Sequence, residues 1–148
     1  NHGPSQYNLG CCFLREESLK YRIPEVIGLF QKSAENGYDL AIHGISKCYE
    51  LGLGVEKDLD KAIEWGEKAA QKAAAIKHCF VGDDSGEKLR SSNETTIFYE
   101  VGKLYTNETE NGKMLDAERA RYWLSKAAEN GQQMAAMMLK FAPMWDGQ

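Results

Sequence analysis

At 148 residues the chain has the length of one domain, and 43% hydrophobic residues suffices for a packed core. Charged residues make up 27% and the formal net charge is −4, which excludes the basic footprint of a nucleic-acid binder. No window approaches a membrane-spanning helix, and no signal peptide is visible.

The opening Asn1-His2-Gly3-Pro4 falls where a preceding helical unit would end, so the first helix is expected to lack its neighbour. That helix is predicted over Ser5 to Leu14, followed by a polar connection from Arg15 to Lys20. Pro24 suits the first turn of a second helix, where its missing N–H costs nothing. The second helix runs to about Asn36, and Gly37 ends it in the left-handed conformation. A third helix is expected from about Leu40 to Leu51. Gly44 and Ser46 weaken it locally, and their small size suits close packing. Gly52 and Gly54 then supply backbone angles that a Cβ makes costly. Asp58 is the expected N-cap of a fourth helix, in which Ala62, Ile63, Trp65, Ala69 and Ala70 recur at helical spacing. Its alanines could carry it to Cys79. Val81 to Glu87 has loop composition, and Ser91-Ser92-Asn93-Glu94 offers the N-cap region of a fifth helix near Thr95 to Tyr105.

The pattern repeats. A shift of 36 brings Trp65 onto Leu29 and Ala70 onto Ala34; a shift of 58 brings Trp65 onto Trp123 and Lys68-Ala69-Ala70 onto Lys126-Ala127-Ala128. Ser33-Ala34-Glu35-Asn36-Gly37 nearly recurs as Ala127-Ala128-Glu129-Asn130-Gly131. Leu9-Gly10-Cys11-Cys12-Phe13 aligns with Ile45-Ser46-Lys47-Cys48-Tyr49 and with Val101-Gly102-Lys103-Leu104-Tyr105. The repeats cover about 4–39, 40–74 and 95–132, a terminal helix covers 133–142, and about 75–94 has no counterpart. Met134 to Lys140 matches the first helix of a fourth unit, and Pro143 limits its extent. One hairpin cannot cover its own apolar face, so the expected fold is all-α. It is a right-handed α-α superhelical solenoid of about seven helices: three repeats plus a capping helix in one domain, 1–148, with no sheet. Trp65 and Trp123 should be buried at equivalent places.

These residues resemble the Sel-one-like repeat, a relative of the tetratricopeptide repeat. The second unit carries the pattern in Ala41, Tyr49, Gly52, Gly54, Val55, Asp58, Lys61, Ala62, Trp65, Lys68, Ala69 and Ala70. It departs at Ile45-Ser46, where Leu-Gly is expected; the first unit has Ser18-Leu19-Lys20-Tyr21 in place of the Gly-x-Gly-Val loop. The third has a two-residue longer loop. The resemblance implies a scaffold that binds another protein, with no reaction and no named partner. By analogy with related repeats, the first helices line a concave surface. The groove positions are then Tyr7, Cys11, His43, Lys47, Glu50, Tyr99, Lys103 and Met137. The alternative is that Tyr7, His43 and Tyr99 only pack between helices. The 75–94 insertion is either a tolerated surface loop or a further partner contact. Some bacterial members encoded beside secreted lipases are thought to act as immunity proteins. An inhibitor that neutralises a secreted toxic enzyme is therefore the second reading, beside an adaptor or regulator.

Cys12, Cys48 and Leu104 share a repeat position, which marks Cys12 and Cys48 as small core residues. The pattern allows a Cys12–Cys48 disulfide without requiring one. Adjacent Cys11 and Cys12 point to different sides of a helix and make a poor metal pair. His78-Cys79 is adjacent in sequence only, which does not make a catalytic dyad. Asp83-Asp84-Ser85-Gly86-Glu87 lacks the spacing of a calcium loop. With no phosphate loop and no serine-nucleophile motif, the chain is expected to use no cofactor and no metal and not to be an enzyme. Membrane insertion is not expected either.

Overall fold

The computed structural model describes residues 2–76, 84–108 and 115–147. Seven α-helices run through these residues: α1 Gly3–Arg15, α2 Val26–Glu35, α3 Asp39–Leu51, α4 Leu59–Ile76, α5 Asp84–Tyr105, α6 Ala117–Glu129 and α7 Gln133–Lys140. Segments of 3-10 helix occupy Glu17–Glu25 and Ala142–Gly147. Among the described residues no strand forms, and no helix is long and apolar enough to cross a membrane. The chain divides into two units, 1–72 and 73–148.

In the first unit α2 packs against both α1 and α3. Its core is Phe13, Val26, Phe30, Ala41, Ile45 and Cys48. The Phe30 ring lies between two glycines on different helices. A Cβ on Gly10 would come within 2.6 Å of the ring, and one on Gly44 within 2.9 Å. The small residues that weaken α1 and α3 as isolated helices thus make room for the largest side chain of α2. Two buried hydroxyls fasten the helices: Ser33 Oγ donates to the Gly3 carbonyl at 2.6 Å, and Ser46 Oγ donates to the Ala62 carbonyl at 2.6 Å.

The loop after α3 follows its glycines. Gly52 (φ +70°) caps the helix, its N–H donating to the Cys48 carbonyl, and Gly54 takes φ +73°. A Cβ on Gly54 would meet the Ile23 carbonyl oxygen at 2.5 Å, so this loop lies directly on the 3-10 segment of the preceding hairpin. Asp58 then accepts the Lys61 backbone N–H at 3.0 Å and opens α4.

The second unit repeats these joints with different residues. Asp116 accepts the Arg119 N–H at 2.9 Å, as Asp58 does for Lys61. Gly131 (φ +92°) ends α6 as Gly37 (φ +81°) ends α2. In both, the next residue donates back into the last turn: Tyr38 N to the Ser33 carbonyl at 3.1 Å, and Gln132 N to the Ala127 carbonyl at 2.9 Å. Asn36 and Asn130 each donate a side-chain amide to the lysine carbonyl four residues earlier, at 2.8 and 2.6 Å. Gly102 faces Leu124, whose Cγ would lie 2.7 Å from an added Cβ. α6 packs against α5 and α7, and Trp123 is buried and stacked on Phe98 at 5.7 Å.

Several expectations need correction. α5 starts at Asp84 rather than near Thr95, so much of the stretch read as loop is helical; no proline interrupts 84–105. Val81 to Asp83, like His78 and Cys79, lies outside the described residues. The polar connection after α1 is a 3-10 segment that contains Pro24, and α2 begins at Val26. Cys12 is exposed, whereas Cys48 and Leu104 are buried. Cys48 shares its cluster with Val26 and Phe30 of the preceding hairpin. Cys11, Cys12 and Cys48 are all free thiols. Trp65 is only half-buried against its core, unlike Trp123.

Candidate functional site

The groove residues of the first unit behave in two ways. Tyr7 and Cys11 turn inward. Tyr7 packs against the rings of Phe30 and Tyr38, with both centroids 5.2 Å away, and its hydroxyl lies near the Cys11 thiol. Burial first, and the Cys11 thiol second, hold the Tyr7 hydroxyl well above its ordinary pKa. Burial also raises Cys11, with the Tyr7 hydroxyl opposing. Cys48 is pushed up to about 12, by burial first and Cys11 second. These thiols are protonated at neutral pH and behave as packing groups rather than nucleophiles.

His43, Lys47 and Glu50 lie half-buried on α3. Lys47 Nζ pairs with Glu50 Oε2 at 2.7 Å, the side chains being 30% and 22% exposed. A pair this sheltered keeps its geometry better than a fully solvated one, yet it cancels its own charge.

In the second unit Tyr99 and Lys103 meet on α5, with the ammonium 5.6 Å from the ring centroid. Glu100 lies 3.7 Å from the same ammonium. Each groove lysine is thus matched by a carboxylate on its own helix, and neither unit offers a bare cationic patch there. Met137 stands 54% exposed on α7.

Close to it in the chain, Met134, Phe141 and Met144, which the sequence reading did not single out, are exposed by 52%, 60% and 69%. Their spacing in the sequence is regular. The α-helix stops before Pro143, as expected, and the chain continues as a 3-10 turn from Ala142.

The Sel1 repeat profile matches residues 3–21, 27–38, 38–73 and 99–132. Among solved structures, the Sel1 repeat protein from Oxalobacter formigenes is 21% identical, with 91% of this chain and 61% of that one covered and a TM-score of 0.47. A protective antigen present in uropathogenic Escherichia coli strains, displaying an SLR fold, is 19% identical, with 91% and 32% covered and a TM-score of 0.45. The chain therefore spans less than two thirds of either protein. A comparison with curated proteins finds no match. Four matched segments, covering most of the chain and falling on helices whose caps and glycine joints recur, identify it as a member of the Sel1 repeat family.

Proposed function

We propose that the chain is an adaptor or regulator that holds a partner protein on the first helices of its repeats. Sel1 repeats generally mediate protein–protein interaction, and their fold is typically a non-catalytic scaffold. The supporting observation is that groove side chains on α3 and α5 reach solvent while being held by neighbours: Lys47 by Glu50, and Lys103 by Glu100 and Tyr99. Held side chains lose less rotamer entropy on binding, which favours recognition by preorganisation. Because the lysines are already paired, the partner surface is neutral and hydrogen-bonding with aromatic contact, rather than an acidic patch.

The test is affinity for a partner identified by cross-linking and mass spectrometry. His43→Ala with Tyr99→Ala should weaken binding while the far-ultraviolet circular dichroism stays unchanged. Raising the salt concentration should change affinity little. Normal binding by that variant, together with loss on deleting residues 81–92, would move recognition to the insertion. An immunity protein is the narrower form of the same reading. It requires that the chain inhibit a toxic enzyme encoded beside its gene, such as a secreted lipase, in a purified assay.

A further inference from the structure

Two of the free thiols reach one core from different helices. The Phe30 ring brings α1 and α3 together: Gly10 of α1 meets one edge of it, at Cε1 and Cδ1, and Gly44 of α3 meets the opposite edge, at Cδ2 and Cε2. With no Cβ on either side, the two backbones stand about one ring apart at this level. Cys11 follows Gly10, and Cys48 stands one turn beyond Gly44 on the same face of α3. Cys48 belongs to the buried cluster around Phe30, and Cys11 packs against that cluster from α1. The two thiols are near enough for Cys11 to act on the titration of Cys48.

Cys12 is not the second thiol of this pair. It shares a repeat position with Cys48, so the two side chains leave the same side of their respective helices rather than facing each other. Cys12 is exposed, whereas Cys11 is half-buried against the cluster that holds Cys48. The bridge that the repeat register allows in the sequence, Cys12 to Cys48, is therefore not the one that the packing favours.

We propose that Cys11 and Cys48 form a reversible disulfide that clamps α1 to α3 across α2 when the chain meets a low-molecular-weight disulfide. Half-buried Cys11 is the entry thiol: its thiolate attacks one sulfur of the small disulfide and releases one small thiol. The Cys48 thiolate then attacks the Cys11 sulfur of the mixed disulfide and releases the second. Two protein thiols lose two electrons and two protons, and one small disulfide becomes two small thiols. Burial raises both thiols, so the exchange is slow at neutral pH. The same burial leaves the reduced pair without a well-stabilised thiolate, so the closed bridge resists reduction. The clamp fixes α1, which carries Tyr7, against α3, which carries His43, Lys47 and Glu50. The spacing of those side chains is then set by redox state, whether or not the strip binds a partner.

The probe is oxidised glutathione, incubated with the full chain carrying Cys79→Ser so that three thiols remain. Free thiols are then alkylated, and the digested chain is mapped by mass spectrometry without reduction. The peptides that hold Cys11 and Cys48 should appear linked, with Cys12 alkylated or carrying glutathione. Adding Cys12→Ser, at an exposed site, should leave the link in place, and adding Cys11→Ser should abolish it. A disulfide needs Cα atoms about 4.4–6.8 Å apart, so the link itself reports how closely α1 and α3 approach. The linked chain should melt about 5–15 °C higher than the reduced one, because the closed loop restricts the unfolded chain, and dithiothreitol should reverse the shift. A link from Cys12 to Cys48 or to Cys11, or glutathione adducts with no internal link, overturns the pairing. A Cys11–Cys48 link that leaves the melting temperature unchanged or lowers it overturns the clamp, since the native helices would then be strained to make it.

Discussion

The two units solve one packing problem with different side chains. In the first, a single ring, Phe30, fills the space between glycines on α1 and α3. In the second, Gly102 receives the smaller Leu124, and the aromatic bulk moves one position to Trp123, buried against Phe98. At the first unit's second hairpin the order is exchanged: Ser46 takes the glycine position and Gly66 takes that of Phe30 and Leu124. The joints hardly change: a capping aspartate opens α4 and α6 alike, and a left-handed glycine closes α2 and α6. Joints are fixed by local backbone geometry, which few residues satisfy. Interior volume can be shared out in several ways, provided the sum is kept.

The widest gap between the units should appear at the two equivalent tryptophans. Trp123→Ala removes a buried ring and should cost about 3–5 kcal/mol. Trp65 is half-buried, with the Lys68 ammonium 4.5 Å from its ring, so Trp65→Ala should cost roughly half as much. Thermal melts followed by circular dichroism measure both. Equal losses would mean that the two units bury this position to the same depth.

That difference also shows where reading the sequence stopped. Gly37, Gly131 and the N-cap Asp58 were legible because a helix end depends on a few consecutive residues. The equivalence of Trp65 and Trp123 was legible too, but their unequal depth was not, since depth depends on what lies opposite. Cys12 teaches the same: it shares a repeat position with Cys48, yet it is exposed where Cys48 is buried. The start of α5 was missed because Ser91, Ser92, Asn93 and Gly86 look like loop formers, and propensity is a weak prior. Of the candidate groove, Lys47, Tyr99 and Lys103 could be placed by register. The pairing of the lysines with carboxylates on their own helices, and the inward turn of Tyr7, needed the structure.

The glycines give a second comparison. Gly54 and Gly131 both have positive φ. An alanine at either must adopt the left-handed conformation, which costs roughly 1–2 kcal/mol. At Gly131 nothing lies within 4 Å of the new Cβ, so the cost should end there. At Gly54 the Cβ would also strike the Ile23 carbonyl, adding overpacking of about 1–3 kcal/mol. Gly54→Ala should therefore lower the melting temperature more than Gly131→Ala, and the reverse order would mean the loop is free to lift from the 3-10 segment.

The volume trade inside the first unit can be probed by imitating the second. Gly10→Ala alone should destabilise by about 1–3 kcal/mol, since its Cβ meets the Phe30 ring. Paired with Phe30→Leu, which brings the site closer to Gly102 and Leu124, it should cost less than the two single changes added together. A double-mutant cycle reads the coupling. Strict additivity would show that ring and glycine do not share the space.

The smallest effect should come from the cap of α4. The Lys61 backbone N–H is the main reason the Asp58 carboxyl titrates below its ordinary value of 3.8, with the Lys61 side chain adding to it. A carboxyl whose folded pKa lies below the unfolded one stabilises the fold above the unfolded value and loses that contribution as pH falls through the folded pKa. The cap should thus be at full strength near neutrality and weaken as the solution is taken from about pH 5 to about pH 3. Asp58→Asn keeps an oxygen to accept the N–H but cannot titrate. Across that range its melting temperature should fall less than that of the parent chain, while near neutrality the two should differ little. Parallel curves would mean that the charge on Asp58 contributes nothing to the cap. The hydrogen bond to Lys61 would then be the whole of its role, as it would be for a serine at the same place.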